Sequence, residues 1–427
     1  MANRTITNKK PALSKVPGGL IAVLDVGSTK VCCLIAKPDA EKGLRVVGVG
    51  HQVSRGIKAG AIVDMDETET SIRATVEAAE QMAGENIRGV TVNFSCGQPK
   101  SRLIAYEISI AGHEVGASDL RRVLDPAAVA DNLPQGHEII HIIPVGYSID
   151  GARGVRDPRG LRGEILGVNL HAISAATGPS RNLESAISRC HLEVDDKVVT
   201  SYASALATLV EDEKKLGVTC IDMGGGTTSI AVFFDGELVH TDSIHLGGVH
   251  VTNDISLGLT TPLNHAERMK TLYGGAMPSP SDDREIIKVP LVGEEDAGET
   301  SQVQRSMLTG IIRPRLEETF EMVRARLEAA GFDNAAGRRV VITGGASQLP
   351  GARELAAAIL DKQVRAGRPR TFEGMPESVS GPAFAAITGL LIYAISNRTE
   401  RRTGAYRPKD ETAGHFGRFG QWLRENF

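Results

Sequence analysis

One pattern occurs twice, once in each half of the chain. Residues 21–36 read IAVLDVGSTKVCCLIA, and residues 218–234 read VTCIDMGGGTTSIAVFF. Each copy is an apolar strand ending in Asp, a glycine-rich turn with Thr, and a second β-rich strand. A chain that repeats this hairpin is constrained to a duplicated α/β architecture with one such unit per half. Glycine lets backbone N–H groups approach a polyphosphate closely, and Ser and Thr hydroxyls add donors. A carboxylate at each turn, Asp25 and Asp222, can hold Mg²⁺ through water, because that ion takes oxygen ligands and keeps its waters. Two such loops face to face would clamp phosphates across a cleft. The plainer alternative is a pair of tight β-hairpin turns. The three consecutive glycines 224–226 argue against it, since each costs backbone entropy. Neither loop is a Walker A motif, for no Gly-Lys-Ser/Thr follows.

Other segments fit around this pair. Residues 338–360, RRVVITGGASQLPGARELAAAIL, read as strand, Gly-Gly turn and helix, a place where a nucleotide can sit at a helix N-terminus. Residues 264–274, NHAERMKTLYG, read as a helix whose charges are most simply a solvated face. Helical periodicity marks 67–84 and 307–332; Gly331 is a stop signal for the second, and Pro314 kinks it or bounds its first turn. Residues 138–150 and 165–175 are apolar strand candidates flanking a Gly- and Arg-rich loop. Residues 274–303 are rich in Pro, Gly and acid and include exposed loop.

Composition excludes several functions. A formal charge of −4 does not call for a nucleic-acid partner. No apolar run reaches the length of a membrane-spanning helix. Residues 1–19 carry four basic residues and no acid, lack the apolar core of a secretory signal, and read as a flexible arm. The five cysteines form no C-x-x-C pair, so neither a disulfide framework nor a zinc site is expected.

The C-terminal end is unusual. Aromatic residues are 4% of the chain, yet 414–427, GHFGRFGQWLRENF, holds three Phe and the only Trp. On a helix, Phe416, Phe419, Trp422, Leu423 and Phe427 fall within an arc of about 140°, and Arg418 and Arg424 flank it at about 120° from its centre. Arginine stems there lie along the apolar face and put their heads at lipid phosphates. This is an interfacial helix, too short to span a bilayer. Gly417 and Gly420 each cost about 1 kcal/mol of helicity, so the segment would fold as it meets lipid. The alternative is a helix docked on the protein's own core; residues 396–413, which show no apolar pattern and read as a linker, argue against that.

In this order the pieces resemble the actin, Hsp70 and sugar-kinase superfamily, and within it the FtsA family of bacterial cell-division proteins. Residues 55–84 and 217–259 are similar to long segments of that family, and the resemblance runs from about residue 20 to 395 and returns at the tail. It implies a two-domain actin-like α/β fold with a relocated inserted subdomain and a C-terminal amphipathic helix. The implied parts are 20–98 with 175–213, the insert 99–174, 214–262 with 305–395, a smaller subdomain 263–304, the linker and the tail. It implies ATP and Mg²⁺ as cofactors, with Gly27, Ser28, Thr29 and Lys30 as the first phosphate loop and Gly224, Gly225, Gly226 and Thr227 as the second. Gly344, Gly345, Ala346 and Ser347 form the adenosine loop, and Glu267 and Lys270 reach the ribose and base. Residues 380–394 resemble the small-residue helix that packs where the two domains hinge. Asp25 and Asp222 are the metal-holding pair, Asp25 being also the candidate catalytic carboxylate.

The implied partners are FtsZ, docked on 263–304, copies of the chain itself in a polymer, later division proteins at the insert, and anionic lipid, but no nucleic acid. The implied location is the cytoplasmic face of the bacterial inner membrane at the division site. Relatives that hydrolyse ATP set a Gln or Glu near the attacking water, in the stretch represented by 198–210, VVTSYASALATLV. That stretch has neither, and Ser201 and Ser204 are poor substitutes because a hydroxyl does not accept a proton as a carboxylate does. Binding with slow turnover at most is expected. Two other readings stay open. A small-molecule kinase would need a substrate acid or base near the γ-phosphate, and none is clear. A membrane-linked pilus-assembly ATP-binding scaffold shares the phosphate loops but is not expected to carry this linker and tail.

Overall fold

The computed structural model describes residues 19–39, 43–125, 133–293 and 300–403. Strands β1 (Ile21–Val26), β2 (Lys30–Asp39) and β3 (Gly43–Val53) form an antiparallel meander. A short hairpin follows, β4 (Ile57–Lys58) and β5 (Ala61–Ile62), then helix α1 (Met65–Ala83) and β6 (Gly89–Phe94), which pairs parallel to β1. Helix α1 begins where the Asp64 carboxylate accepts from the main chain of Asp66 and Glu67, and it ends at Gly84 in the left-handed region (φ 70°). Its buried face, Thr68, Ile72, Thr75, Val76 and Ala79, has the helical spacing seen in the sequence.

The chain then leaves this sheet to build another. Strand β7 (Lys100–Ser109), helix α2 (Ala117–Val123), β8 (His137–Ile149), β9 (Ala152–Val155) and β10 (Ile165–Ala176) make a four-stranded antiparallel sheet in the order β7-β10-β8-β9. Its own core joins Val115, Leu120 and Val123 to Tyr147, Leu166 and Val168. Helix α3 (Thr177–Arg189) and strand β11 (Glu193–Val199) return to the first sheet, whose order is β11-β6-β1-β2-β3. Helices α4 (Thr200–Thr208) and α5 (Glu211–Leu216) lead to the second half.

The second half repeats the first. Strands β12 (Val218–Met223), β13 (Thr228–Phe234) and β14 (Glu237–Ile244) form the same meander. After α6 (Gly248–Leu259), α7 (Leu263–Tyr273), the hairpin β15 (Ile286–Pro290) and β16 (Thr300–Gln304), α8 (Arg305–Ala329) and α9 (Phe332–Ala335), strand β17 (Arg339–Thr343) pairs parallel to β12. Helix α10 (Ala352–Leu360) and β18 (Gln363–Ala366) complete a sheet in the order β14-β13-β12-β17-β18. Both five-stranded sheets thus have the same order and the same pairing senses, and Asp25 and Asp222 occupy the same penultimate position of their first strands. The fold is the two-domain actin-like α/β fold with an inserted sheet.

Three details differ from the sequence reading. Helix α8 starts at Arg305 and carries Pro314 in its interior, so Pro314 does not bound its first turn. The acidic stretch 274–303 includes the hairpin β15–β16 as well as loop. The last helix, α11 (Ala385–Thr403), runs past residue 396, where a linker was expected. After Gly389 the sequence has no Gly or Pro until Gly404. Adding residues to an existing helix is cheap compared with nucleating one, so an apolar pattern is not needed there. The side chain of Asn397 donates to Asp196 Oδ2 (2.9 Å) and ties this turn to the first domain. No helix among the described residues is long and apolar enough to cross a membrane. Residues 1–18 and 404–427, including Phe416, Arg418, Phe419, Trp422, Leu423, Arg424 and Phe427, lie outside the described residues.

Candidate functional site

Because each Asp ends its strand on the same side of its sheet, the two glycine turns meet at the cleft between the halves. The turns are built alike: Gly27 N–H donates to Lys30 O (3.1 Å) and Gly224 N–H donates to Thr227 O (2.9 Å). They also touch. A Cβ added to Gly225 would lie 2.3 Å from Thr29 Cγ2, and one on Gly226 would lie 2.6 Å from Ser28 Oγ. Main chain comes close enough here to line a narrow cradle, which any side chain would fill. The start of α6 supports the second turn, Gly248 N–H donating to Gly224 O and Val249 N–H to Gly225 O.

The cleft has a volume of about 560 Å³, within the range of small-molecule and cofactor sites. Asp25, Gly27, Ser28, Thr29, Lys30, Asp222, Gly224, Gly225, Gly226, Thr227, Glu267, Lys270, Gly344, Gly345 and Ala346 all line it. Ser347 does not: its hydroxyl turns back to donate to Gly344 O (2.8 Å). The adenosine-loop candidate is a short 3₁₀ turn, Gly345–Gln348, entered through Gly344 at φ 87°. A Cβ at Gly344 would lie 2.3 Å from Asp222 Oδ1, so this turn leans directly on the second carboxylate.

Burial sets the charges. It pushes the Asp25 carboxyl up to about 6, with Lys30 pulling it down and Asp222 pushing it further up. Asp222 is also raised, first by burial, against the opposing pull of the Ser204 hydroxyl and Lys30. Two buried carboxylates held above their ordinary range gain from a cation placed near them. Among the described residues no group of three or more His, Cys, Asp or Glu could hold a metal. Mg²⁺ does not need one: it takes one or two carboxylates and completes its shell with phosphate and water. The donor set therefore fits Mg²⁺ carried by a polyphosphate.

Lys30 and Lys270 are both engaged. Lys30 Nζ donates to Ala383 O and lies 4.3 Å from the Phe384 ring centre. Lys270 Nζ donates to Gly248 O (3.0 Å), Thr252 Oγ1 (2.8 Å) and Glu267 Oε2 (2.6 Å). With 11% of its side chain exposed, Lys270 is not part of a solvated face, whereas Glu267 keeps 54% exposed beside it.

Sequence reasoning missed other lining residues: Asn93, Ser95, Thr200, Ser229, Thr271 and Gln348. Asn93 offered one weak signal, a polar residue at the end of an otherwise apolar strand. It also underrated Ser204, which is no base but donates its hydroxyl to Asp222 Oδ2 from α4.

Comparison with known proteins places this arrangement. The family model "Cell division protein FtsA" matches residues 219–389, and "SHS2 domain inserted in FTSA" matches 97–174. The chain is 44% identical to the cell-division protein FtsA of Agrobacterium fabrum, over 98% of this chain and 97% of that protein. Identity to the Pseudomonas aeruginosa FtsA is 36%, over 96% and 99%. Among solved structures, a chain of the PilM–PilN type IV pilus biogenesis complex is similar with a TM-score of 0.62, 16% identity, and coverage of 89% of this chain and 99% of that one. MreB5 of Spiroplasma citri, bound to ADP, is similar with a TM-score of 0.55, 12% identity, and coverage of 90% and 98%. At these identities the two structures show the fold alone.

Proposed function

Since this chain belongs to the FtsA family of cell-division proteins, we propose that it is an ATP-binding tether of the division ring. In this reading it binds Mg²⁺·ATP between its halves and assembles with copies of itself on the cytoplasmic face of the inner membrane. It docks FtsZ through residues 263–304 and holds that ring to lipid through 414–427. It brings in later division proteins through the inserted segment 99–174. The observation that carries the reading is the convergence of two copies of one Asp–Gly turn on a single cleft. That the similar MreB5 fold holds ADP accords with it.

Bound Mg²⁺·ATP supplies a chain of negative oxygens and a cation to neutralise them. The glycine turns would offer main-chain N–H groups to those oxygens, and the hydroxyls of Ser28, Thr29 and Thr227 would add donors. Asp25 and Asp222 would hold the cation's waters, gaining the positive charge that burial makes them lack. Gly344 to Ala346, with Glu267 and Lys270, would fix the nucleoside end. Among the described residues Asp25 is the only carboxylate lining the first-half wall of the cleft, which keeps it the candidate catalytic group. The other carboxylates there, Asp222 and Glu267, are already engaged by Ser204 and Lys270. Turnover is slow at most, because residues 198–210 supply no Gln or Glu to set the attacking water.

The tail acts in concert with assembly. One short interfacial helix binds weakly, while a polymer that displays many binds by avidity. The test is co-flotation of fluorescent FtsZ filaments with anionic liposomes in Mg²⁺·ATP, using the full chain and its Trp422→Glu variant. The full chain should carry the filaments to the liposomes, and the variant should bind nucleotide equally in calorimetry yet leave them in solution. Filaments recruited equally by both would overturn the tail's role, and no nucleotide binding by either would overturn the reading of the cleft.

A further inference from the structure

The first-half wall of the cleft holds a pair of residues that the glycine turns do not explain. Asn93, at the end of β6, is 3% exposed, and Thr200 is the first residue of α4; both line the cleft with Asp25. Val26 N–H donates to Asn93 Oδ1 at 2.7 Å. A main-chain N–H can only donate, so this contact fixes which way the amide faces. Asn93 Nδ2 is then left to donate to Thr200 Oγ1, 3.4 Å away. With the amide donating and the hydroxyl accepting, the Thr200 proton is free for another partner, and no described residue accepts it.

The cleft has a direction. Gly344 to Ala346, Glu267 and Lys270 lie on the second half, the two glycine turns meet in the middle, and Asn93 and Thr200 lie on the first half, joined to the strand end that carries Asp25. A nucleotide with its nucleoside end on the former and its phosphates over the turns points its last phosphate at the latter. Thr200 also opens a nine-residue helix whose preceding Val199 makes no side-chain cap, so the positive end of α4 begins at this wall.

We propose that Thr200, aimed by Asn93, is the donor that reads the terminal phosphate of a nucleoside triphosphate and lets the cleft tell triphosphate from diphosphate. This rests on the reading of the cleft as a Mg²⁺·nucleotide site. A terminal phosphate is rich in acceptors, and a hydroxyl already accepting from an amide meets it as a donor. The same hydroxyl is a poor proton acceptor for water. Thr200 therefore stabilises the bound triphosphate rather than promoting its cleavage.

The test is calorimetric titration of the full-length chain, its Thr200→Val and its Thr200→Ser variants, with Mg²⁺·ADP and with a Mg²⁺-bound non-hydrolysable ATP analogue. Valine has the same shape and branching, so fold is preserved, and ADP binding reports it. Thr200→Val should lose about ten- to a hundredfold in triphosphate affinity while ADP affinity stays the same; Thr200→Ser should keep the wild-type preference. Equal losses for both nucleotides in the valine variant would show a structural role and overturn the proposal. An unchanged preference would overturn it as well. If the wild-type chain bound neither nucleotide, the reading of the cleft would fall first, which separates that failure from failure of Thr200 alone.

Discussion

At Asp222 two opposing effects meet on one carboxylate. Burial disfavours its charge, while the Ser204 hydroxyl and Lys30 favour it. The balance leaves a group that gains from a nearby cation more than a solvated Asp would. Asp222→Ala should therefore cost Mg²⁺·ATP affinity by about tenfold or more, as a charge-assisted contact is lost. It should also raise the melting temperature of the nucleotide-free protein slightly, because a buried charge with incomplete compensation is gone. Calorimetry and a thermal melt check the two effects, which have opposite signs. The sequence showed Asp25, Asp222 and the glycines clearly, because a turn is local and its residues are contiguous. Asn93 left only a weak trace there and Thr200 none. Their role depends on β6 pairing with β1 and β11 with β6, and that parallel pairing joins residues that no local pattern connects.

Among the elements, the contact between α11 and α4 has the least slack. A Cβ at Gly389 would lie 1.7 Å from the carbonyl oxygen of Ala203, so the two backbones touch at that point. Alanine normally improves a helix by about 1 kcal/mol over glycine. Here the helices must instead move apart, and overpacking of this kind costs about 1–3 kcal/mol. Gly389→Ala should thus lower the urea midpoint despite its better propensity. It should also weaken nucleotide binding, because α4 carries Thr200 and Ser204. The small-residue composition of 380–394 was legible as a close helix packing. Its partner was not, and neither was the run of α11 to Thr403, because helix propagation leaves no mark on the sequence once the packed segment has nucleated it.

On the scale of the whole molecule, the inserted sheet is held against both halves through buried imidazoles. Val199 N–H of β11 donates to His141 Nε2 (3.1 Å), and that ring packs edge-on against Tyr202 and Tyr393. His171 Nε2 pairs with Ser101 Oγ (2.5 Å), which accepts from Thr241 N–H of β14 (3.2 Å). His240 of β14 stacks on Phe332, with ring centres 4.9 Å apart. Burial lowers all three rings, His141 and His240 to about 4 and His171 to about 3. The fold keeps them neutral, whereas the unfolded chain takes up their protons near pH 6.5. Stability from these sites is full above that pH and is lost as pH falls toward 4, by about 1.4 kcal/mol per pH unit for each site. Asp25 and Asp222 work in the opposite direction, since the fold holds their protons more tightly, but they are two groups against three. The melting temperature should fall from pH 7.5 to pH 5. His141→Gln, which keeps an acceptor for Val199, should flatten that slope; an unchanged slope would show that the site does not titrate as described. None of this was readable from the sequence, where these histidines are scattered through strands of two sheets.

The packing of α11 has a mechanical consequence. Its buried residues Ile387, Leu390, Leu391 and Ala394 join Ile21, Val23, Cys32 and Leu34 in the core of the first half. Nineteen residues of helix make a strut of about 28 Å from the cleft wall to residue 403, packed into the core of that half. Whatever holds the chain beyond residue 403 therefore holds the first half directly and the second only through it. Opening or closing the cleft then becomes a displacement of the second half, and of whatever is docked on it, relative to a stationary root. The protein is in this sense a hinged arm on a bracket, with the two glycine turns at the pivot.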